Sequence, residues 1–174
     1  MDIQKLKFPI GEFSPLTSYS LEQISTYIED IESLPSLLRK EVEGLTDAQL
    51  ETPYRPDGWT IRQVVHHIPD SHMNAFIRFK LTLTEDKPTI KPYYEDRWAE
   101  LPDAKLPPEI SLTLVEAVHK RWSLLLKALD KKDFERSYIH SEYKKVFSLK
   151  EALHMYSWHG KHHLAHIKQA KNSF

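Results

Sequence analysis

The chain has 174 residues, with 24 Lys plus Arg against 25 Asp plus Glu, 40% hydrophobic residues and no cysteine. That composition suits a single domain spanning 1–174, leaves no net field for nucleic acid or a membrane surface, and removes disulfides, thiolate metal ligands and a cysteine nucleophile together. A transition metal would have to rest on His, Asp or Glu. No secretory-type apolar run opens the sequence and no stretch of about 18 residues is continuously apolar, so a cytoplasmic location is expected.

Only four glycines occur, and apolar residues recur three and four positions apart, which predicts a mainly helical chain. The first long helix starts at Ser20, which has capping-box spacing with Gln23. It carries Ile24, Tyr27, Ile28 and Ile31 as one stripe, and Pro35 interrupts it or begins its continuation toward Val42. Thr46 and Gln49 repeat the capping spacing for a short helix. After a turn at Pro56, Asp57 and Gly58, Thr60 with Gln63 caps a second long helix reaching about Leu83. Pro69 lies inside that helix, and a kink near His67 is expected from its missing amide proton.

From Lys87 to Ile110 five prolines exclude a long helix, and the segment reads as a long crossover loop carrying Tyr94, Arg97 and Trp98. These side chains either reach over a site or pack on one another. A third helix fits Ser111 to Leu129, the alternation Phe134, Arg136, Tyr138, His140 suggests a short β-hairpin, and Ser148 with Glu151 opens a last helix to about Ala170. The architecture expected is all-α, a four-helix bundle.

Eight of the ten histidines fall in two windows, one at His66, His67 and His72 and one at His154, His159, His162, His163 and His166. Imidazole is the commonest transition-metal ligand, and two imidazoles one turn apart on a helix present themselves to one ion. Helical phase puts His159 and His163 on the edge of the last helix's apolar face, while His162 and His166 are expected at the surface and His154 points away. In the second helix His67 flanks the apolar face, and Asp70, Ser71, Asn74 and Arg78 continue a polar stripe beyond it. His66 is expected to face solvent and His72 the core. A third ligand from a facing helix would make His67, His159 and His163 one site. The Glu-x-x-His spacings at Glu116/His119 and Glu151/His154 would suit a di-iron bundle, but Glu116, Glu151 and His154 lie off their helices' apolar faces and the second helix has no glutamate.

The segments Gly58-Trp-Thr-Ile-Arg-Gln-Val-Val-His-His67, Asp70-Ser-His-Met-Asn74 and Tyr156-Ser-Trp-His-Gly-Lys-His-His163-Leu-Ala-His166 resemble the DinB/YfiT superfamily of four-helix-bundle metalloproteins, and its YfiT-type metal-dependent hydrolases most closely. Phe8-Pro-Ile-Gly11, Lys91-Pro92 and Trp98-Ala-Glu-Leu-Pro102 extend the likeness over nearly the whole chain. The resemblance implies a divalent nickel or zinc ion on His67, His159 and His163, a cytoplasmic location and a homodimer. It also implies one of two enzymatic chemistries on a small-molecule substrate. Hydrolysis would use a metal-activated water, with Asp70 moving protons and Asn74, Tyr94, Arg97 and Trp98 contacting the substrate. Transfer of a low-molecular-weight thiol such as bacillithiol onto an electrophile would need less help from a base. A non-catalytic metal-binding module is the third class, favoured by a closed coordination shell.

Overall fold

A computed structural model describes residues 2–174. In chain order the helices are α1 (Ile3–Lys7), α2 (Leu21–Val42), α3 (Asp47–Leu50), α4 (Ile61–Thr84), α5 (Glu95–Trp98), α6 (Pro108–Lys127), α7 (Lys131–Glu135) and α8 (Leu149–Lys171). The four long ones, α2, α4, α6 and α8, form a four-helix bundle. Complete capping boxes start α2, α3 and α4 at Ser20, Thr46 and Thr60. At α8 the Ser148 hydroxyl accepts from the Glu151 amide, but the Glu151 carboxylate pairs with Lys145 at 2.7 Å instead of returning to the cap.

Helix α6 begins three residues earlier than periodicity suggested. Pro108 occupies its first turn, where an amide proton has no intrahelical partner and a preset φ favours the helix. Helices α2 and α4 both run on through their internal prolines, Pro35 and Pro69, which are buried. The proline-rich segment is more ordered than a plain loop: it holds β1 (Thr89–Ile90), α5 and a 3-10 helix at Pro102–Lys105. The hairpin exists as β2 (Ser137–His140) and β3 (Lys145–Ser148), but Phe134 belongs to α7, which Asp130 caps. Strand β1 pairs parallel to β2, and β2 antiparallel to β3.

Helix α2 packs on α6 and α8, and α4 packs on the same two. The helices consecutive in sequence, α2 with α4 and α6 with α8, therefore stand across the bundle's diagonals, and the proline-rich segment joins the neighbours α4 and α6. This order sets α4 directly beside α8. At Gly160 of α8 a Cβ would stand 2.8 Å from Leu34 Cδ2 of α2, so a larger side chain there would hold the two helices apart.

The apolar interior has two parts. One gathers Ile31, Phe79, Trp122 and Leu153; the other gathers Leu38, Val64, Val65, Ile68, Val115 and Ile167. Along each helix the residues between these sets include His72 of α4, His119 of α6 and His159 of α8, all in a polar layer across the middle of the bundle. Among the described residues no helix is long and apolar enough to cross a membrane.

Candidate metal centre

The neighbouring placement of α4 and α8 brings His67, His159 and His163 together. His67 Nε2 stands 3.2 Å from His159 Nε2, which is itself 3.2 Å from His163 Nε2. One ligand nitrogen from each of the three lies within 4.8 Å of the others, the only such group of three potential ligands among the described residues. Two nitrogens bound at about 2.0–2.1 Å to a tetrahedral ion stand roughly 3.3 Å apart, so the spacing fits a divalent cation. Burial pulls the His67 pKa down to about 4, with repulsion from His166 adding to it, and holds His159 and His163 well below the usual imidazole range. All three rings are neutral near pH 7, as metal ligation requires.

The hydrogen bonds behind two of the ligands determine which nitrogen of each of these two rings is free. The Ile31 carbonyl can only accept, so His119 Nδ1 donates to it. His119, which burial keeps neutral with a pKa of about 4, then has an unprotonated Nε2, and His72 Nδ1 donates to that atom at 2.9 Å. The fully buried His72 is neutral too, so its Nε2 accepts from His159 Nδ1 at 3.1 Å, leaving the lone pair of His159 on Nε2. A second relay reaches His163 from the other side. The Lys7 carbonyl accepts from His166 Nε2 at 3.1 Å, His166 Nδ1 faces His163 Nδ1 at 3.4 Å, and the lone pair of His163 is left on Nε2. Two backbone carbonyls thus aim two lone pairs at one point. Outer hydrogen bonds of this kind orient metal-binding imidazoles and raise their basicity. One proton could satisfy only one pair of the converging nitrogens, whereas a cation satisfies all three.

The site opens into a cavity of about 600 Å³ walled by aromatic side chains, among them Tyr54, Trp59, Tyr93, Tyr138, Tyr156 and Trp158. Ser71 and Arg78 of α4 also line it. Burial pushes the Tyr93 and Tyr156 phenols up, so both remain hydrogen-bond donors at neutral pH. The carboxylates on the wall, Asp57, Glu95, Asp96 and Glu142, are exposed.

Several sequence-based expectations need correction. His162, His166 and His66 are buried, not at the surface. His162 stacks on Trp158 and also meets Phe8, and His166 stacks on Tyr54, because the N-terminal segment and the turn before α4 cover that side of α8. His66 bonds to Ser111 Oγ at 2.7 Å and to the Leu106 carbonyl at 2.9 Å, under the proline-rich segment. None of these covering elements leaves a periodic mark in α4 or α8.

Asp70, Asn74, Tyr94, Arg97 and Trp98 are not among the residues lining the cavity. Asp70 is half-buried and its pKa is raised to about 6, by burial first and by Asp103 second, while Asn74 donates to the Asp70 carbonyl at 2.8 Å. Tyr94 is exposed with the Arg97 guanidinium 4.4 Å over its ring, and Trp98 packs on Tyr93. Within the segment Pro92, Tyr93, Glu95 and Asp96 line the cavity instead. Glu116 and Glu151 are engaged with Arg39 and Lys145, and neither joins a group of potential metal ligands among the described residues. The sequence did mark Ser71 and Arg78 as part of a polar stripe, but their place in the wall, like the supporting roles of His72, His119 and His166, appears only in three dimensions.

A family model described as the DinB superfamily matches residues 30–167. The chain belongs to the DinB superfamily. Relatives from Bacillus cereus (strain 03BB102) and Bacillus anthracis (strain A0248), each named "Putative metal-dependent hydrolase", are 52% identical over 162 residues, covering 93% of this chain and 93% of their own. A solved structure of YfiT from Bacillus subtilis, described as a probable metal-dependent hydrolase with an unusual four-helix bundle topology, superposes with a TM-score of 0.94 at 48% identity over 97% of both chains. This DinB-superfamily chain is likewise a four-helix bundle.

Proposed function

We propose that this protein is a divalent-metal-dependent hydrolase of small molecules, with nickel or zinc held by His67, His159 and His163. The observation that carries the reading is the convergence of three neutral Nε2 atoms at the head of an open, polar-lined cavity. A closed protein shell around the ion would suit a structural module; here a cavity adjoins the ligands. A divalent ion on three neutral imidazoles keeps its full charge, polarises a substrate oxygen and lowers the pKa of water toward about 7. The chain supplies the rest. The His119–His72 and His166 hydrogen bonds hold the His159 and His163 rings in one tautomer, and the Tyr93 and Tyr156 hydroxyls offer donors to a substrate oxygen.

A second reading, transfer of a low-molecular-weight thiol to an electrophile, is favoured by one observation. Among the described residues no carboxylate is hydrogen-bonded to any of the three histidines, and the cavity's own carboxylates are exposed. Water needs a proton acceptor more than a thiol does, since a thiol ionises more readily. The deciding experiment compares metal-loaded with chelator-treated protein on a panel of esters and amides, and on electrophiles with and without added thiol. Metal-dependent cleavage without thiol supports hydrolysis, thiol-dependent conjugation alone replaces it with transfer, and no metal-dependent turnover in either arm removes both.

A further inference from the structure

Two arginines of α4 are equally buried, and they are treated differently. Arg62, 8% exposed, is neutralised by Asp47 at 2.8 Å and by Glu51, and it also donates to the Leu106 carbonyl. Arg78, also 8% exposed, has no carboxylate within ion-pair distance among the described residues. Its hydrogen bonds are two long ones to neutral groups, Nη1 to the Tyr156 hydroxyl at 3.3 Å and Nη2 to the Lys91 carbonyl at 3.4 Å. A guanidinium has five N–H donors, so most of this one's capacity is left over, and a buried charge without a counter-charge is costly to keep. Arg78 lines the same cavity as the three histidines.

Arg78 is eleven residues beyond His67, close to three helical turns, so both project from one face of α4. Tyr156 touches both Arg78 and His159. Its hydroxyl meets the guanidinium, and its ring centroid lies 5.9 Å from that of His159. One aromatic side chain therefore separates the free cation from the metal centre.

We propose that Arg78 is an anion subsite that holds the carboxylate of a small organic acid while the remainder of the molecule extends past Tyr156 toward His67, His159 and His163. A planar fork of donors matches a carboxylate in two parallel hydrogen bonds. One guanidinium balances one negative charge, and the exposed carboxylates Glu95, Asp96 and Glu142 that also line the cavity oppose a second. A monoanionic carboxylate is thus preferred over a phosphate dianion. The assignment rests on the proposed function only in taking the acid to be its substrate.

The test measures binding of three probes to the full-length chain by NMR titration: hydrocinnamate, its neutral isostere hydrocinnamamide, and benzyl phosphate. The chain is first stripped of metal so that metal–carboxylate bonding cannot contribute, then reloaded. In the metal-free protein hydrocinnamate is expected to bind at least tenfold more tightly than the amide and more tightly than benzyl phosphate. Arg78→Met should bring the carboxylate down to the level of the amide, Arg78→Lys should retain part of the difference, and zinc affinity should be unchanged in both.

Equal binding of acid and amide to the unaltered chain would overturn the subsite, whether or not Arg78→Met folds. So would full carboxylate affinity in a folded Arg78→Met variant. Tighter binding of benzyl phosphate would overturn the carboxylate assignment. Because affinity is read without turnover, failure of the hydrolase reading would leave this result standing, and metal-dependent hydrolysis with no acid preference would remove the subsite alone.

Discussion

Replacing His72 with Phe tests the aiming of the metal centre by hydrogen bonds. Phe fills much of the same buried space but neither donates nor accepts, so His159 Nδ1–H and His119 Nε2 both lose their partner. A buried polar group left unsatisfied costs about 1–3 kcal/mol, which sets an upper range of roughly 2–6 kcal/mol for the two, reduced by the easier burial of Phe. The metal-binding consequence is separable. With no acceptor behind it, His159 is free to carry its proton on Nε2 or to rotate, and loss of such an outer partner typically weakens metal binding about 10–100-fold. Competition for zinc against a chromophoric chelator measures that change, and the long-range 15N spectrum of the metal-free protein reports which nitrogen of His159 is protonated. His72→Gln, whose amide can accept from one side and donate to the other, should recover part of the affinity. If His72→Phe folds and its zinc affinity stays within twofold of the original, the two-carbonyl account of the site is wrong.

His159→Ala should abolish stoichiometric metal binding in equilibrium dialysis, whereas His162→Ala, which alters a ring stacked on Trp158, should leave it nearly intact; equal losses would undo the ligand assignment. The metal-free protein should lose stability on acidification. His119 and His166 are held down to about 4 in the fold, against 6.5 when free, so the unfolded chain binds more protons across that window. Their contribution is therefore complete above about pH 6.5 and falls as the pH drops toward 4, by about 3 kcal/mol for the well-buried His119. Urea midpoints across that range would check the slope, and a flat profile would contradict it. Trp122→Ala, removing a fully buried ring that packs edge-on against His72, His119, Tyr156 and Phe79, should cost about 3–5 kcal/mol in urea unfolding. The homodimer expected from the family resemblance is tested by light scattering, where a mass equal to one chain would exclude it.

Local chemistry was readable along the chain because its causes are local. Ser20, Thr46 and Thr60 announce helix starts through side chains that reach only three residues ahead, and 3.6-residue periodicity selected His67, His159 and His163 from the eight clustered histidines. Tertiary packing decided what periodicity cannot carry. A helix's polar edge looks the same whether water or another segment covers it, so the burial of His66, His162 and His166 had to await the proline-rich segment, the N-terminal segment and the turn before α4. The same holds for the imidazole relays. His159, His72, His119 and the Ile31 carbonyl belong to four different helices, and only their diagonal order in the bundle lets a backbone oxygen on α2 determine which nitrogen faces the cavity.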